Sequence, residues 1–191
     1  MKSLKLLSAV LLLGSAANAS IINYYANLNG ANEVGPVVTN GIGTAYVTID
    51  TVAQTMSVTA IFSGLTGTTT ASHIHCCQPL GTNAGVATTT PFFAGFPIGV
   101  TNGVYNSGAL DLTAASTYNP TFVTAQGSVA NAEAALLAGL ANGQSYFNIH
   151  SSFASGGEIR GQLALAPEPT TFVLSGLALA GLAFIRRRKA A

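Results

Sequence analysis

Thr44-Ala45-Tyr46-Val47-Thr48-Ile49-Asp50 decides the fold. Ala45, Val47 and Ile49 alternate with Thr44, Tyr46, Thr48 and Asp50, and a period of two belongs to a strand with one buried and one wet face. Thr55 to Phe62 repeats the pattern with Met56, Val58, Ala60 and Phe62 on the apolar side. Two half-buried runs joined by the short link 51–54 predict a hairpin, and hence an antiparallel sheet.

Working outward, Ile21 to Leu28 reads as a strand ended by the turn dipeptide Asn29-Gly30, and Gly64-Leu65-Thr66-Gly67 turns the chain into a strand through His73. From Gln78 to Asn106 the pattern loosens into Gly, Pro and Thr, which predicts short strands or a loop folded over the histidines. Val104 to Leu112, Ser145 to His150 and Glu158 to Leu165 read as further strands. Asn131 to Leu140 reads as one short helix, with Asn131 as its cap and Gly139 and Asn142-Gly143 as its stop. About eight strands and one helix predict an all-β, antiparallel sandwich.

The two ends differ in kind from this body. Lys2 and Lys5, the apolar run Leu6 to Leu13 and the small residues of Ala17-Asn18-Ala19 form a secretory signal peptide over 1–19, to be removed by signal peptidase. At the other end stand Pro167-Glu168-Pro169, a near-uniformly apolar stretch 170–185, and Arg186-Arg187-Arg188-Lys189. Sixteen apolar residues with snorkelling flanks predict a transmembrane helix whose basic end stays in the cytoplasm. The body in between is 20–166.

Within 20–166 the charged residues are Glu33, Asp50, Asp111, Glu133 and Glu158 against Arg160, five negatives and one positive, or −4 with histidines neutral. A body with one Arg and no Lys has no basic face for phosphates, which excludes nucleic acid as a partner. No Gly-x-Ser-x-Gly elbow, paired acid and base, or phosphate-cradling glycine loop is present, so the chain reads as a non-enzyme.

All three histidines fall near strand ends. His73 and His75, two apart, project from one face of their strand, and His150 ends another. Three neutral imidazoles make a candidate copper or zinc site, with Cys76 or Cys77 as a fourth ligand if deprotonated. The opposing reading is that the histidines only satisfy hydrogen bonds where strands meet a loop. Export favours oxidation, so Cys76 and Cys77 read as a strained vicinal disulfide, a bond to another chain, or metal ligands, with the vicinal bridge preferred. Arg160 is expected to form a structural ion pair with Glu33 or Glu158.

Asn32-Glu33-Val34 with Pro36, Gly64-Leu65-Thr66-Gly67, His73-Ile74-His75, Tyr146-Phe147-Asn148-Ile149-His150 and Gly157-Glu158-Ile159-Arg160-Gly161-Gln162-Leu163 together resemble the CHRD domain, named from chordin. Gly35 stands where a second proline is usual, and Cys76-Cys77 where a glycine commonly follows the histidines. The resemblance implies an immunoglobulin-like or superoxide-dismutase-like sandwich and brings no activity with it. The His73, His75 pair is also similar to the His-x-His ligands of copper–zinc superoxide dismutases, but a dinuclear site of that kind needs about twice the histidines present. The tail resembles a PEP-CTERM sorting signal. That resemblance implies a Gram-negative bacterium, passage through the inner membrane, processing by an exosortase near Pro167-Glu168-Pro169, and a final place at the cell surface or in an extracellular matrix, with extracellular polysaccharide as a candidate partner.

Overall fold

The computed structural model describes residues 21–166. Ten strands lie in one antiparallel, curled sheet: β1 (Ile21–Asn29), β2 (Ile42–Asp50), β3 (Thr55–Ser63), β4 (Thr69–Cys76), β5 (Gly85–Val86), β6 (Gly103–Asn106), β7 (Leu110–Asp111), β8 (Ser145–Ser151), β9 (Ile159–Gln162) and β10 (Ala164–Leu165). The order is β5-β4-β8-β9-β1-β2-β3-β6, with β10 also paired to β1 and β7 to β3. The ladder is unbroken. The two halves that a sandwich would keep apart, β5-β4-β8-β9 and β1-β2-β3-β6, are joined where Asn29 pairs with Arg160.

The alternation of Thr44–Asp50 appears directly in the register. Ala45, Val47 and Ile49 are fully buried and pair with Ala60, Val58 and Met56 of β3, which are fully buried too. Burying a Val or Ile side chain stabilises the fold by roughly 1.5–3 kcal/mol. Such pairs fix the register, since a slip of one residue would turn every apolar side chain to water. The core they build also receives Ile74, Phe147, Ile149 and Ile159 from the other half, so both halves share one interior. The hairpin link is held by Asp50, whose Oδ1 accepts from the backbone N–H groups of Val52 and Ala53, both at 2.9 Å.

Among the described residues two α-helices are present where the sequence predicts one. Helix α1 (Pro120–Gln126) is capped by Asn119, which accepts from Thr121 N at 2.9 Å, starts on a proline, and stops at Gly127 with φ 85°. Each of those signals is a sound helix boundary, but seven residues give too short a period to stand out from the neighbouring strands. Helix α2 (Val129–Ala141) begins earlier than expected: its cap is Ser128, and Asn131 is the donor at 3.1 Å. Ala132, Leu136, Gly139 and Leu140 form its buried stripe.

The strand expected over 104–112 is broken into β6 and β7, because Ser107-Gly108 turns the chain at a glycine with φ 65°. The loose segment 78–106 holds β5 and β6, and its Phe93 and Phe96 enter the core. No helix among the described residues is long and apolar enough to cross a membrane. The expected signal peptide (1–19) and the sorting tail (167–191), including the transmembrane helix expected at 170–185, lie outside the described residues.

Candidate metal centre

β4 and β8 pair so that His73 faces Asn148, His75 faces Tyr146 and Ala71 faces His150. Ile74 and, on β8, Phe147 and Ile149 point into the apolar core. The alternate residues His73, His75, Tyr146, Asn148 and His150 therefore share the opposite face. β9 continues it with Arg160 beside Asn148 and Gln162 beside Tyr146. This polar face is itself covered: His73, His75, Asn148, His150 and Arg160 are all buried.

The three imidazoles converge. One ring nitrogen from each lies within 4.8 Å of the others, and His73 Nδ1 is 3.3 Å from His75 Nε2. Backbone carbonyls set the tautomers. His75 Nδ1 lies 2.8 Å from Ala84 O, and His150 Nδ1 lies 2.8 Å from Ser155 O. A carbonyl only accepts, so each Nδ1 carries the proton and each Nε2 presents its lone pair. His150 Nε2 is buried and has no hydrogen-bond partner among the described residues.

The electrostatics keep the cluster neutral. His73 is pushed down to about 3 by burial, then by the neighbouring His150 and His75, against a contact with the Pro91 carbonyl that favours the charged form. His75 is pushed down to about 4 by burial, opposed by its bond to Ala84 and aided by His150 and Arg160. His150 is lowered by burial too, opposed by Ser155. Neutral imidazole is the form that binds a metal.

Around the cluster runs a second layer. Tyr146 stacks on His75 with centroids 4.7 Å apart. Arg160 Cζ lies 4.3 Å from the Tyr146 centroid, at cation–π distance. Arg160 Nε donates to Asn32 O at 2.6 Å, and its terminal nitrogen donates to Asn83 Oδ1 at 2.9 Å. Its carboxylate neighbour is Glu33, at 3.9 Å. Burial raises the Glu33 carboxyl to about 7, with Arg160 pulling the other way.

Glu158 is not the Arg160 partner. Its oxygens accept from Thr39 Oγ1 and Thr66 N, both at 2.5 Å, from Gly67 N at 3.2 Å, and from Ser151 Oγ. Burial pushes its pKa up, but the bonds from Ser151, Thr39, Thr66 and Gly67 outweigh it and hold the carboxyl below its ordinary value. This acid is satisfied by the turn 64–67 and by the Ser151 end of β8, which leaves Arg160 to Glu33 and the loop carbonyls.

The cysteines leave the histidine face. Cys76 and Cys77 are joined to each other, and both sulfurs lie against Ala135 O of α2, at 3.8 and 3.4 Å. Cys76 follows His75 by one residue and so points to the other side of the sheet. Neither sulfur belongs to the three-nitrogen cluster, which sets aside the reading of a cysteine as its fourth ligand.

Tyr146 and Asn148 share His150's face at the same period of two, so strand alternation alone could have found them. The anchoring carbonyls of Ala84, Pro91 and Ser155 come from loops, and a backbone group leaves no signature in a sequence.

The class these observations define is a mostly-β domain, an antiparallel curled sheet with a polar, histidine-bearing strand face under loops. The chain belongs to the CHRD domain family, whose profile matches residues 24–163. A PEP-CTERM protein-sorting motif matches residues 165–189 and marks the chain for exosortase processing and for export to the envelope or surface of a bacterium. No curated protein and no solved structure matches it.

Proposed function

We infer that the protein is a non-enzymatic component of the cell surface or extracellular matrix of a Gram-negative bacterium, and that its CHRD domain holds one copper or zinc ion on His73, His75 and His150. The signal peptide would take the chain through the inner membrane, where the apolar tail would lodge until an exosortase cuts near Pro167-Glu168-Pro169. In that setting extracellular polysaccharide is the partner at hand. The finer description of the fold is the immunoglobulin-like or superoxide-dismutase-like sandwich, supported by the single core that the two halves of the sheet share.

One observation carries the metal reading: three neutral ring nitrogens converge, and two of the rings are fixed through Nδ1 to backbone carbonyls. Metal-binding histidines characteristically donate their second N–H in this way, which fixes the ring and raises its basicity. The spacing fits. Two nitrogens held about 2.0–2.1 Å from one ion lie roughly 3.3–3.4 Å apart at a tetrahedral angle and at most about 4.2 Å apart. His73 and His75 stand at 3.3 Å, inside that range, and the nitrogens of all three rings lie within 4.8 Å of one another. Imidazole ligands without thiolate suit copper and zinc, and three of them leave a position for water or an exogenous ligand.

Elemental analysis of protein purified without an affinity tag tests this. One equivalent of copper or zinc is expected, lost in the His73→Ala, His75→Ala double variant. Equal metal content in the two would end the reading. Cell fractionation tests the setting: a processed form without the tail is expected outside the inner membrane, and full-length protein confined to that membrane would count against it.

A further inference from the structure

We propose that the outer face of β1-β2-β3-β6 binds an uncharged polysaccharide, with the rings of Tyr25 and Tyr46 as its stacking platform. The inference rests on the reading of the protein as one that reaches the cell surface, and it concerns the side of the sheet turned away from the core. Tyr25 and Tyr46 are register partners on that face. Their ring centroids are 4.8 Å apart, and Tyr46 is 49% exposed. Tyr25 is half-buried, while the Tyr46 ring stays largely in water with no core packing to account for it. Inclined at 51° to each other, the two rings offer an angled apolar surface with polar tips, which suits the C–H face and hydroxyl rim of a pyranose.

The polar groups beside the rings are set in one sense. Tyr25 Oη donates to Asn27 Oδ1, and Thr48 Oγ1 donates to Asn23 Oδ1 at 2.8 Å. With both amide oxygens engaged, Asn23 and Asn27 are oriented to present their NH2 groups as donors. A shallow groove of about 390 Å³ lies beside the platform, lined by Asn27 and Thr44, two residues along from Tyr25 and Tyr46, together with Ile42, Ile61, Phe62 and Ser63. Its lining is mostly apolar, edged by these hydroxyl and amide groups.

Charge selects the occupant. From Ile21 to Asn29, Ile42 to Asp50 and Thr55 to Ser63, the sole ionisable acid or base other than tyrosine is Asp50, and its carboxylate is engaged by the turn at Val52 and Ala53. A face with no cation cannot neutralise phosphate, sulfate or uronate, which sets aside nucleic acid, lipid headgroups and acidic polysaccharides. An uncharged, hydroxyl-rich chain meets no unpaired charge here, so its partner groups match in polarity as well as shape. The rival occupant is a second copy of this chain, docked through the exposed Ile42, Ile61 and Val104 on the same face.

Native-gel electrophoresis of the purified full chain through gels containing hydroxyethylcellulose, glucomannan or dextran, and through gels containing alginate, decides the matter. Retardation by at least one uncharged polymer and none by alginate is expected. Tyr46→Ala should weaken it roughly tenfold, the size of one aromatic contact, while Leu80→Ala, at an exposed loop position away from this face, leaves it in place. An unchanged melting curve for Tyr46→Ala shows that the half-exposed ring is not needed for folding, and Thr44→Lys at the groove provides a second variant if that one unfolds. Absence of retardation by every uncharged polymer, or retardation indifferent to Tyr46→Ala and Thr44→Lys, overturns the proposal. So does concentration-dependent dimerisation abolished by Ile61→Asp. The assay does not read location, so its failure leaves export standing, and a misplaced protein leaves the binding measurable.

Discussion

The ring of His75 lies 4.7 Å from that of Tyr146 with an interplanar angle of 7°, so a candidate ligand is clamped flat against an aromatic neighbour. Tyr146 is buried, and its hydroxyl accepts from Ala84 N at 3.2 Å, the same residue whose carbonyl holds His75 Nδ1. Tyr146→Phe keeps the stack and removes the hydroxyl's two hydrogen bonds to the Ala84 backbone, from N at 3.2 Å and to O at 3.5 Å, at a cost of about 1 kcal/mol. Tyr146→Ala removes the stack, opens a cavity and is expected to cost about 3–5 kcal/mol. Urea unfolding of both variants checks this. Equal loss in the two would mean that the hydroxyl, not the ring, holds His75.

Acid should unfold the metal-stripped protein. The three histidines have folded pKa values below the unfolded value near 6.5, with His73 at about 3 and His75 at about 4. The unfolded chain therefore binds more protons between those limits. The stability contributed by neutral burial is complete above about 6.5 and is lost as pH falls toward 3–4. Glu158, held low, acts in the same direction. Glu33 opposes them: its folded pKa of about 7 lies above the unfolded 4.5, so it adds stability below 4.5 that disappears as pH rises through 7. Three histidines outnumber one glutamate, so the melting temperature should fall from pH 6.5 to pH 4. His73→Gln should flatten that limb. A melting temperature constant across the range would show that the rings are not buried as described.

Much of the sheet was legible because Ala45, Val47 and Ile49 against Met56, Val58 and Ala60 carry a period that only a half-buried hairpin explains. The histidine face was half legible. Strand alternation puts His73 and His75 on one side, but no residue pattern sets the register that brings His150 opposite Ala71. Helix α1 went unread because a seven-residue helix spans barely two turns and buries one side chain, Phe122. The Arg160 pairing was open between two acids because Glu33 and Glu158 differ in which loop reaches them, and that is a tertiary fact. The disulfide's seat on α2 depends on a glycine whose purpose appears only in three dimensions.

That glycine is Gly139. A Cβ there would stand 2.3 Å from Cys76 Sγ, 3.0 Å from Cys77 Sγ and 2.9 Å from Ser145 Oγ. In a helix interior Gly→Ala ordinarily stabilises by roughly 0.8–1.0 kcal/mol. Here the close approach of α2 to the disulfide should reverse the sign, with Gly139→Ala costing about 1–3 kcal/mol through overpacking. Removing the sulfurs with Cys76→Ala, Cys77→Ala should recover part of that loss, a coupling that thermal melts of the four proteins would measure. A more stable Gly139→Ala protein would show that the helix does not press on the sulfurs.

Arg160 is the remaining test of the face, because it joins β9 to loops that cover the histidines. It is 4% exposed, lies over Tyr146 and reaches Asn32 O and Asn83 Oδ1. Removing it leaves Glu33 buried without its cation. The acid then takes up a proton or draws in water, and breaking such a buried pair costs about 3–5 kcal/mol. Arg160→Lys should recover little, since the compact ammonium cannot reach Asn32 O and Asn83 Oδ1 from one point while staying over the Tyr146 ring, as the spread-out guanidinium does. The pairing with Glu33 has its own signature: in Arg160→Ala, Glu33→Gln should be nearly neutral, whereas with Arg160 present the same change should be costly. Chemical denaturation of the four proteins gives the coupling, and additive losses would mean that Arg160 acts through Tyr146 and the loops alone.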